Sequence, residues 1–428
     1  MKLLVVGSGG REHALVWKLR QSPQVEKIFC APGNPGIAEM AELVAIGPDE
    51  IERLGDFADR EKIDLTVVGP EVPLILGIGD HFDERGLKVF GPNREAAKLE
   101  GSKDFAKEIM KENGIPTATF RTFSDPQKAK EFARQIQPCV VKADGLAAGK
   151  GVVLCSSQGD AEQAIEEIME RKVFGDAGEK VIIEELLTGE EASFMALIDG
   201  EHCLPLASSQ DHKAVFDGDR GPNTGGMGAY SPAPVVDRKV HQEVLTKILN
   251  PLLSGLKRKN VLYRGVLYVG LMITKDGPRV LEFNARFGDP ECQPLMMRLK
   301  GDLIPLLQAT LEGRLNEVEA EWHDSSSVCV VLCSQGYPGA YEKGKEIRGL
   351  DRMKQWKEGF VFHSGTAKKD GRWYTSGGRV LGVTALGESI DEAVREVYQA
   401  ARQIGWEGVH YRKDIASRAL THPRAKGE

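Results

Sequence analysis

The chain has 428 residues, 41% of them hydrophobic and 28% charged, which is typical of a globular protein with roughly three domains. Its formal net charge of −7 disfavours a dominant nucleic-acid or membrane surface but is compatible with a local basic pocket. The apolar stretch after Lys2 is too short for a signal-peptide core, and no apolar run approaches a membrane span. The seven cysteines form no C-x-x-C pair and have no histidine at zinc spacing, so we expect reduced thiols in a cytoplasmic protein.

Residues 1–100 alternate strand and helix patterns, which predicts a parallel sheet covered by helices. The predicted strands are 2–6, 27–30 and 65–68, and a helix is predicted over 11–20. Ligands of such sheets bind beyond the carboxyl ends of the strands. Three turns fall at these ends, at residues 7–11, 32–34 and 69–71.

The first of these turns, Gly-Ser-Gly-Gly-Arg, opens a helix but lacks the dinucleotide fingerprint G-x-G-x-x-G, because Glu12 occupies the last glycine position. The second strand also ends in Cys30 instead of the acidic residue that binds a ribose hydroxyl. A glycine turn at a helix N-terminus suits a phosphate group. A tight turn without any ligand is the alternative, since glycine also serves turn geometry alone.

From about residue 101 the pattern changes. A helix over 102–113 carries Lys103 in its first turn, strands are predicted at 119–122, 138–142, 151–155 and 180–184, and helices at 125–135 and 160–171. Between two of these strands, Lys142 and Lys150 bracket a Gly/Ala loop, which offers backbone N–H donors and two charges to a polyphosphate. The spacing of Gly145 and Gly149 is one residue too short for a Walker loop. A plain flexible hairpin is the alternative.

An acidic, extended segment follows at residues 184–191. Its exposed backbone at 185–187 can pair with the edge of an adenine ring, and a carboxylate several residues further on can reach ribose hydroxyls. This signal is weak by itself, because acidic turns are usually solvated.

Residues 281–291 contain the most unusual strand pattern of the chain. Side chains alternate between the faces of a strand, so Glu282, Asn284 and Arg286 share one face. Carboxylate and amide oxygens are ligands that Mg²⁺ accepts beside nucleotide phosphates, and the arginine can meet a transferring phosphoryl group. An edge strand with one solvated face is the alternative.

A glycine-rich run at residues 221–232 allows the backbone to approach a small molecule closely. Asp211 and Lys213 lie just before it and can pair with the two charges of an amino acid. A disordered surface loop is the alternative.

The C-terminal segment, from about 326, begins with a strand at 327–333 and continues through turn-rich β-structure to an amphipathic helix near 390–404. It contains no catalytic motif of its own. Arg379 follows two glycines at a turn into a strand, where a guanidinium can bind a phosphate bidentately; an ordinary surface arginine is the alternative.

Taken together, Lys103, Lys142 with its glycine loop, the segment 184–191 and the row from Glu282 to Arg286 resemble the ATP-grasp superfamily. The segments 7–14, 142–151, 210–213, 221–232 and 282–291 are similar, more closely, to the phosphoribosylamine–glycine ligase family. This resemblance implies an α/β and α+β chain: an ATP-grasp fold with an N-terminal parallel-sheet (Rossmann-like) domain and a C-terminal mainly-β domain. The implied domains are 1–100, 101–325 with a mobile ATP lid at about 119–190, and 326–428.

The resemblance also implies roles for individual residues. It implies Arg286, Lys142 and Asp289 as catalytic residues and Glu282 and Asn284 as metal ligands. The implied ATP-binding residues are Lys103, Lys142, Gly149, Lys150, Gly151, Glu184, Glu185, Leu187 and Glu191. The implied substrate-binding residues are Gly9, Gly10, Arg11, Asn34, Glu71, Asp211, Lys213, Arg286, Asp289, Gly378 and Arg379.

The activity implied by the resemblance is ligation of glycine to 5-phosphoribosylamine in purine biosynthesis, with ATP and Mg²⁺ or Mn²⁺, through glycyl phosphate. We expect a cytoplasmic monomer that binds these small molecules and neither nucleic acid nor membranes. One position departs from many ATP-grasp enzymes, because Leu267 stands where the preceding strand often carries an acidic metal ligand. Two alternatives stay open: a ligase of the same fold that uses another carboxylate, and a nucleotide-binding regulatory protein without turnover.

Overall fold

The structure, a computed structural model, describes residues 1–147 and 151–422. The first region is built on a parallel sheet in the strand order β3-β2-β1-β4-β5, as the alternating pattern predicts. Its strands are β1 (Lys2–Gly7), β2 (Lys27–Pro32), β3 (Glu42–Leu43), β4 (Leu65–Val68) and β5 (Val89–Phe90). Its helices are α1 (Gly10–Leu19), α2 (Ile51–Glu61), α3 (Glu71–Leu76), α4 (Ile78–Glu84) and α5 (Arg94–Gly101).

Strand β1 shows why this sheet is covered on both faces. Leu3 and Val5 pack into one core with α1, whereas Leu4 and Val6 pack into a second core with α2 and α4. A strand buried on both faces needs a continuous apolar run, which the sequence provides. Because β1, β2 and β4 run parallel, the turns that follow these strands lie together at one edge of the sheet.

The middle region contains two four-stranded antiparallel sheets, in the orders β6-β9-β7-β8 and β11-β10-β16-β17, and the two-stranded sheet β13-β14. Its strands are β6 (Phe120–Phe123), β7 (Cys139–Ala143), β8 (Val152–Cys155), β9 (Val181–Glu185), β10 (Glu190–Ile198), β11 (Cys203–Pro205), β12 (Gln210–Asp211), β13 (Ala214–Phe216), β14 (Arg220–Asn223), β15 (Gly228–Ser231), β16 (Gly265–Thr274) and β17 (Gly277–Asn284). Its helices are α6 (Lys103–Glu112), α7 (Pro126–Ala133), α8 (Gln158–Ile165), α9 (Arg238–Val244), α10 (Asn250–Arg258), α11 (Cys292–Arg298) and α12 (Leu303–Glu312).

The first of these sheets, together with α7 and α8, forms a small lobe with its own core. We call this unit the lid lobe. The sheet that contains β16 and β17, together with α6, α9 and α10, is called the body. The helix predicted over 160–171 is an α-helix only to Ile165 and continues as a π turn at Glu166–Glu170. Strands predicted for the lobe agree with the structure to within one residue at each end.

The C-terminal region adds β18 (Ser326–Ser334), β19 (Glu346–Ile347), β20 (Gly359–His363), β21 (Thr366–Lys369), β22 (Arg372–Thr375), β23 (Arg379–Gly387) and β24 (Val409–His410), with α13 (Leu350–Met353), α14 (Ile390–Ala401) and α15 (Ser417–Thr421). Its main sheet has the order β12-β15-β18-β23-β20. Strand β12 precedes the glycine-rich run and β15 lies within it, so this sheet incorporates part of the middle region. Within the described residues, no helix is both long enough and apolar enough to cross a membrane.

Candidate active site

Strand β17 carries the predicted metal ligands. Glu282 and Asn284 are partly exposed, whereas Phe283 and Ala285 are buried, so the predicted alternation of faces holds here. A bulge in the β16–β17 pairing leaves Leu281 without a partner residue. Arg286 is also partly exposed and lies two residues beyond the strand end.

The oxygen ligands of this strand fit a hard divalent cation such as Mg²⁺. The described residues contain no group of three or more His, Cys, Asp or Glu side chains arranged to hold a metal. Glu282 and Asn284 would therefore hold the ion together with oxygens from a nucleotide and water. This agrees with Leu267, which offers no ligand from the neighbouring strand β16.

Lys142 is on β7, just before the glycine loop, and Lys103 contacts the loop from the start of α6. Lys142 Nζ lies 2.9 Å from Glu184 Oε2 and donates to the backbone oxygen of Leu281 at 3.2 Å. Lys103 Nζ donates to the backbone oxygen of Gly145 at 3.2 Å. Burial lowers the pKa of Lys103, although Glu282 opposes this effect.

The other predicted loop residues are only partly within the described chain. The Gly151 backbone oxygen accepts a hydrogen bond from the Ala143 N–H at 2.8 Å, which closes the β7–β8 hairpin. A Cβ atom at Gly151 would lie 2.6 Å from the Cβ of Ala147, so glycine is required there. The predicted ligands Gly149 and Lys150 lie outside the described residues.

The predicted adenine segment leaves the lid lobe at the end of β9. The Glu184 side chain is 2% exposed, and its carboxylate lies beside the two buried lysines Lys107 and Lys142. The Glu185 carboxylate instead accepts from the Thr119 N–H at 2.9 Å and from Arg279 at 3.2 Å. Leu187 follows in irregular, partly exposed backbone, as an edge-binding segment requires.

Glu191, Lys213 and Asp211 form one ion cluster. Lys213 Nζ lies 2.6 Å from Glu191 Oε2 and 3.2 Å from Asp211 Oδ1. Burial acts to lower the pKa of Lys213, but the two carboxylates outweigh it and the pKa is well above its usual range. Glu282 also raises this pKa, so the cluster faces the metal strand. The predicted ribose ligand and the predicted glycine ligands are therefore neighbours.

Arg286 connects the metal strand to the N-terminal region. Its Nε lies 3.2 Å from Glu71 Oε2, and its Nη2 lies 2.8 Å from Glu100 Oε1. Burial acts to lower the pKa of Arg286, but Glu100 and Glu71 raise it above the usual value. The guanidinium is thus a permanent charge, and its side chain remains 18% exposed.

The N-terminal turn lies against the Asp289 loop. A Cβ atom at Gly9 would lie 3.5 Å from Asp289 Oδ2, and one at Gly10 would lie 2.7 Å from Gln293 Nε2. The Arg11 guanidinium is buried, donates to Glu12 Oε1 at 2.6 Å and to the Phe287 backbone oxygen at 3.1 Å. It therefore points inward to the site and not along its helix into solvent.

Asn34 has a different environment from the one predicted for a substrate ligand. Its amide nitrogen donates to the backbone oxygens of Ser8 and His363, at 2.8 and 2.9 Å, and its Oδ1 accepts from the N–H groups of Gly36 and Ile37. Its side chain therefore braces the turn and the C-terminal region. Substrate binding by Asn34 stays a prediction. It requires that the substrate share one of these hydrogen-bonding groups of the Asn34 amide.

Arg379 enters the site from the C-terminal region. Its Nη2 lies 2.9 Å from Asp289 Oδ2, and its Nη1 donates to the backbone oxygens of Asp289 and Gly225, at 2.7 and 2.5 Å. Gly378 packs so tightly that a Cβ atom would lie 2.3 Å from the Tyr337 ring. Burial acts to raise the pKa of Asp289, but Arg379 and Arg11 outweigh it and lower the pKa.

Several charged residues of the site were given no role in the sequence analysis. Glu100 binds Arg286, Lys107 lies beside Glu184, and Glu291 is buried near the ion cluster. Burial and the charge of Asp211 raise the pKa of Glu291 to about 6. Lys107 could have been found, because it lies one helical turn after Lys103 on the same face.

The sequence matches the domains of one family along most of its length. Residues 1–100 match the phosphoribosylglycinamide synthetase N domain, 101–292 its ATP-grasp (A) domain and 327–418 its C domain. The chain is 52% identical to the phosphoribosylamine–glycine ligase of Caldanaerobacter subterraneus over 418 residues, covering 97% of this chain and 100% of the relative. It is also 52% identical to the phosphoribosylamine–glycine ligase of Pseudomonas aeruginosa, with both chains covered in full.

Solved structures agree with this assignment. The phosphoribosylamine–glycine ligase of Thermotoga maritima superposes with a TM-score of 0.84 at 34% identity, covering 97% of this chain and 100% of that one. Biotin carboxylase of Campylobacter jejuni superposes with a TM-score of 0.74 at 14% identity, which shows a shared fold alone. The predicted ATP-grasp fold is confirmed, and the chain belongs to the phosphoribosylglycinamide synthetase family.

Proposed function

We propose that this enzyme joins glycine to 5-phosphoribosylamine, forming 5-phosphoribosyl-glycinamide and releasing ADP and phosphate, a step of purine biosynthesis. The observation that carries the proposal is the position of the row Glu282, Asn284 and Arg286. Lys142 donates to the backbone oxygen of Leu281 beside this row, the charge of Glu282 acts on Lys213, and Arg286 forms an ion pair with Glu71. The loop that follows the row carries the Asp289–Arg379 ion pair. Relatives at 52% identity over the full length carry the corresponding name.

The nucleotide would bind between the lid lobe and the body. Lys103 and Lys142 would neutralise its phosphates, and the backbone after Glu185 would meet the adenine edge. Glu282 and Asn284 would hold Mg²⁺ or Mn²⁺. When bound, this ion supplies charge neutralisation for the phosphates.

Glycine would bind where Asp211 faces its ammonium group and Lys213 its carboxylate. One carboxylate oxygen attacks the γ-phosphorus, so a new O–P bond forms as the bond to the bridging oxygen of ADP breaks. The amine of phosphoribosylamine then attacks the glycyl carbonyl carbon and loses a proton, and phosphate leaves with the original carboxylate oxygen. No side chain is required as a nucleophile, so the protein contributes positioning and charge.

Phosphoribosylamine would bind where the three regions of the chain meet. The backbone of the N-terminal turn at Gly9 and Gly10 would approach the phosphate, with the Gly9 N–H shared with Glu12 Oε2. Glu71 and Asp289 would accept from hydroxyl or amine groups. Arg286, Arg11 and Arg379 supply the positive charge that a phosphate favours. Each of these arginines already has a carboxylate partner, so phosphate binding requires that the partners be shared or exchanged.

We also propose the domain limits 1–100, 101–325 with the lid at about 119–190, and 326–428. The enzyme would act as a cytoplasmic monomer on small molecules, without a nucleic-acid or membrane partner. The net charge of −7 supports the absence of a nucleic-acid or membrane partner, because nucleic acids and membrane surfaces are themselves anionic.

The test is ADP release by the purified chain with Mg²⁺ and freshly prepared phosphoribosylamine. We expect release only when glycine and phosphoribosylamine are both present, at a one-to-one ratio with the glycinamide product. Bicarbonate and formate in place of glycine are matched controls and should give no ADP. Bicarbonate-driven release would establish the alternative ligase, and absence of turnover with every acid would establish a binding protein.

A further inference from the structure

A buried lysine that no motif marks completes a closed ring of contacts beside the proposed nucleotide site. Lys107 is on α6, and its side chain is 2% exposed. Its Nζ lies 3.1 Å from Glu184 Oε1 and donates to Thr117 Oγ1 at 2.7 Å. Thr117 in turn donates to the backbone oxygen of Val280 at 2.6 Å.

The ring closes on the metal strand itself. Glu184 uses its second oxygen to bind Lys142, and Lys142 donates to the backbone oxygen of Leu281. The contacts therefore run from Val280 through Thr117, Lys107, Glu184 and Lys142 to Leu281, the residue next to Val280. Glu282 is the following residue, so the ring places Lys142 beside the predicted metal ligand.

The charges of this ring explain why Lys107 matters. Glu184 has one negative charge and two lysine partners, so its attraction is divided between them. Burial lowers the pKa of Lys107 to about 8, and the nearby Glu184 carboxylate limits that decrease. Burying a charge is costly unless it is paired and hydrogen-bonded, so the Lys107 ammonium depends on Glu184 and Thr117.

We infer that Lys107 is a positioning residue, which holds Glu184 so that the Lys142 ammonium stays free to turn toward the nucleotide phosphates. This rests on the proposed function, since it assigns the phosphates to Lys142. Without Lys107, Glu184 has Lys142 as its single cationic partner in the ring. The Lys142 ammonium is then retained by the carboxylate, and nucleotide binding weakens.

The experiment measures binding of Mg²⁺-ADP to the full chain, without glycine or phosphoribosylamine, followed by steady-state kinetics. For Lys107→Met, which keeps the apolar length of the side chain, we expect a nucleotide Kd at least tenfold higher. The KM values for glycine and phosphoribosylamine should stay within twofold. Lys107→Arg should retain most of the wild-type affinity.

The matched control is Lys180→Ala. Lys180 also joins the lid lobe to α6, with its Nζ 2.7 Å from Asp104 Oδ2, but at an exposed position away from Glu184. We expect its nucleotide Kd within twofold of wild type. If Lys180→Ala and Lys107→Met have equal effects, Lys107 is only a tether between the lobes and the inference is wrong.

A double variant separates positioning from a structural role. In Lys107→Met with Glu184→Gln, no carboxylate retains Lys142, so the nucleotide should bind more tightly than in Lys107→Met alone. If the losses of nucleotide affinity caused by Lys107→Met and by Glu184→Gln add in the double variant, the inference is wrong. If Lys107→Met does not fold, Lys107→Gln takes its place in both comparisons. Because the binding assay needs neither glycine nor phosphoribosylamine, its outcome is independent of which acid and amine the enzyme uses.

Discussion

Arg379 and Asp289 form an ion pair that joins the C-terminal region to the loop after the metal strand, with Nη2 2.9 Å from Oδ2. The same guanidinium binds the backbone oxygen of Gly225 in the glycine-rich run, and the Gly225 N–H donates to the Tyr337 hydroxyl at 3.0 Å. Three segments far apart in the sequence are therefore held by one side chain. This contact is the basis for assigning part of the phosphoribosylamine site to the C-terminal region.

We expect Arg379→Ala to raise the KM for phosphoribosylamine by one to two orders of magnitude, as loss of a charge-assisted contact would. The KM values for ATP and glycine should barely change. Arg372→Ala is the control, because Arg372 is an exposed arginine of the same region. If Arg379→Ala shifts all three KM values together, or none, the C-terminal region is only a scaffold.

The metal assignment predicts the effect of Glu282→Gln. The amide keeps the size of the side chain but removes the negative charge that a divalent cation needs. We therefore expect kcat to fall by a factor that corresponds to a loss of several kcal/mol in transition-state stabilisation. The fold should be intact, because Glu282 is partly exposed and outside the apolar cores. Asp276→Asn, at the exposed β16–β17 turn, is the control. Near-normal turnover of Glu282→Gln at saturating Mg²⁺ would show that the ligand lies elsewhere.

The glycine-rich run is constrained at Gly226. Its φ is +109°, and a Cβ atom would lie 2.3 Å from Pro290 Cδ. Gly226→Ala should therefore destabilise the chain by about 1–3 kcal/mol and raise the KM for glycine by displacing the run. Gly301→Ala, where a Cβ atom meets nothing within 4 Å, should change neither quantity. If Gly226→Ala folds with reduced stability but has an unchanged KM for glycine, the glycine-rich run is not part of the glycine site.

Sequence patterns predicted the elements and the row on β17 because these depend on neighbours a few residues apart. Period-two alternation was enough to place Glu282 and Asn284 on one face of β17, whereas Arg286 lies two residues beyond the strand end. The partners of the arginines were not predictable in this way, since Arg286 meets Glu71 across 215 residues. The bracing role of Asn34 was also hidden, because it depends on His363, 329 residues away.

The interface between the N-terminal and C-terminal regions should respond to pH. The backbone N–H of His363 donates to His13 Nδ1 at 2.8 Å. Burial lowers the pKa of the His363 imidazole to about 4, and Lys368 acts in the same direction. Above the ordinary imidazole pKa of about 6.5, His363 is neutral in the folded and unfolded chain, and its contribution is complete. Below that value the unfolded chain takes up the proton first, so stability falls as the pH decreases toward 4.

The loss from His363 should reach about 3 kcal/mol in the free energy of unfolding, measured by urea titration between pH 7.5 and 4. His363→Gln should reduce the pH dependence, whereas the exposed His323→Gln should leave it unchanged. If the free energy of unfolding changes equally with pH in wild type and in His363→Gln, protonation of His363 does not affect the interface.

The most direct measurement follows ¹⁸O from the carboxylate of glycine during turnover with ATP and phosphoribosylamine. An acyl phosphate requires that one carboxylate oxygen leave with phosphate, so we predict one ¹⁸O atom in each released phosphate and one in the amide product. Mass spectrometry of both products provides the two values from one reaction. Unlabelled phosphate, formed together with ADP and product, would contradict the account.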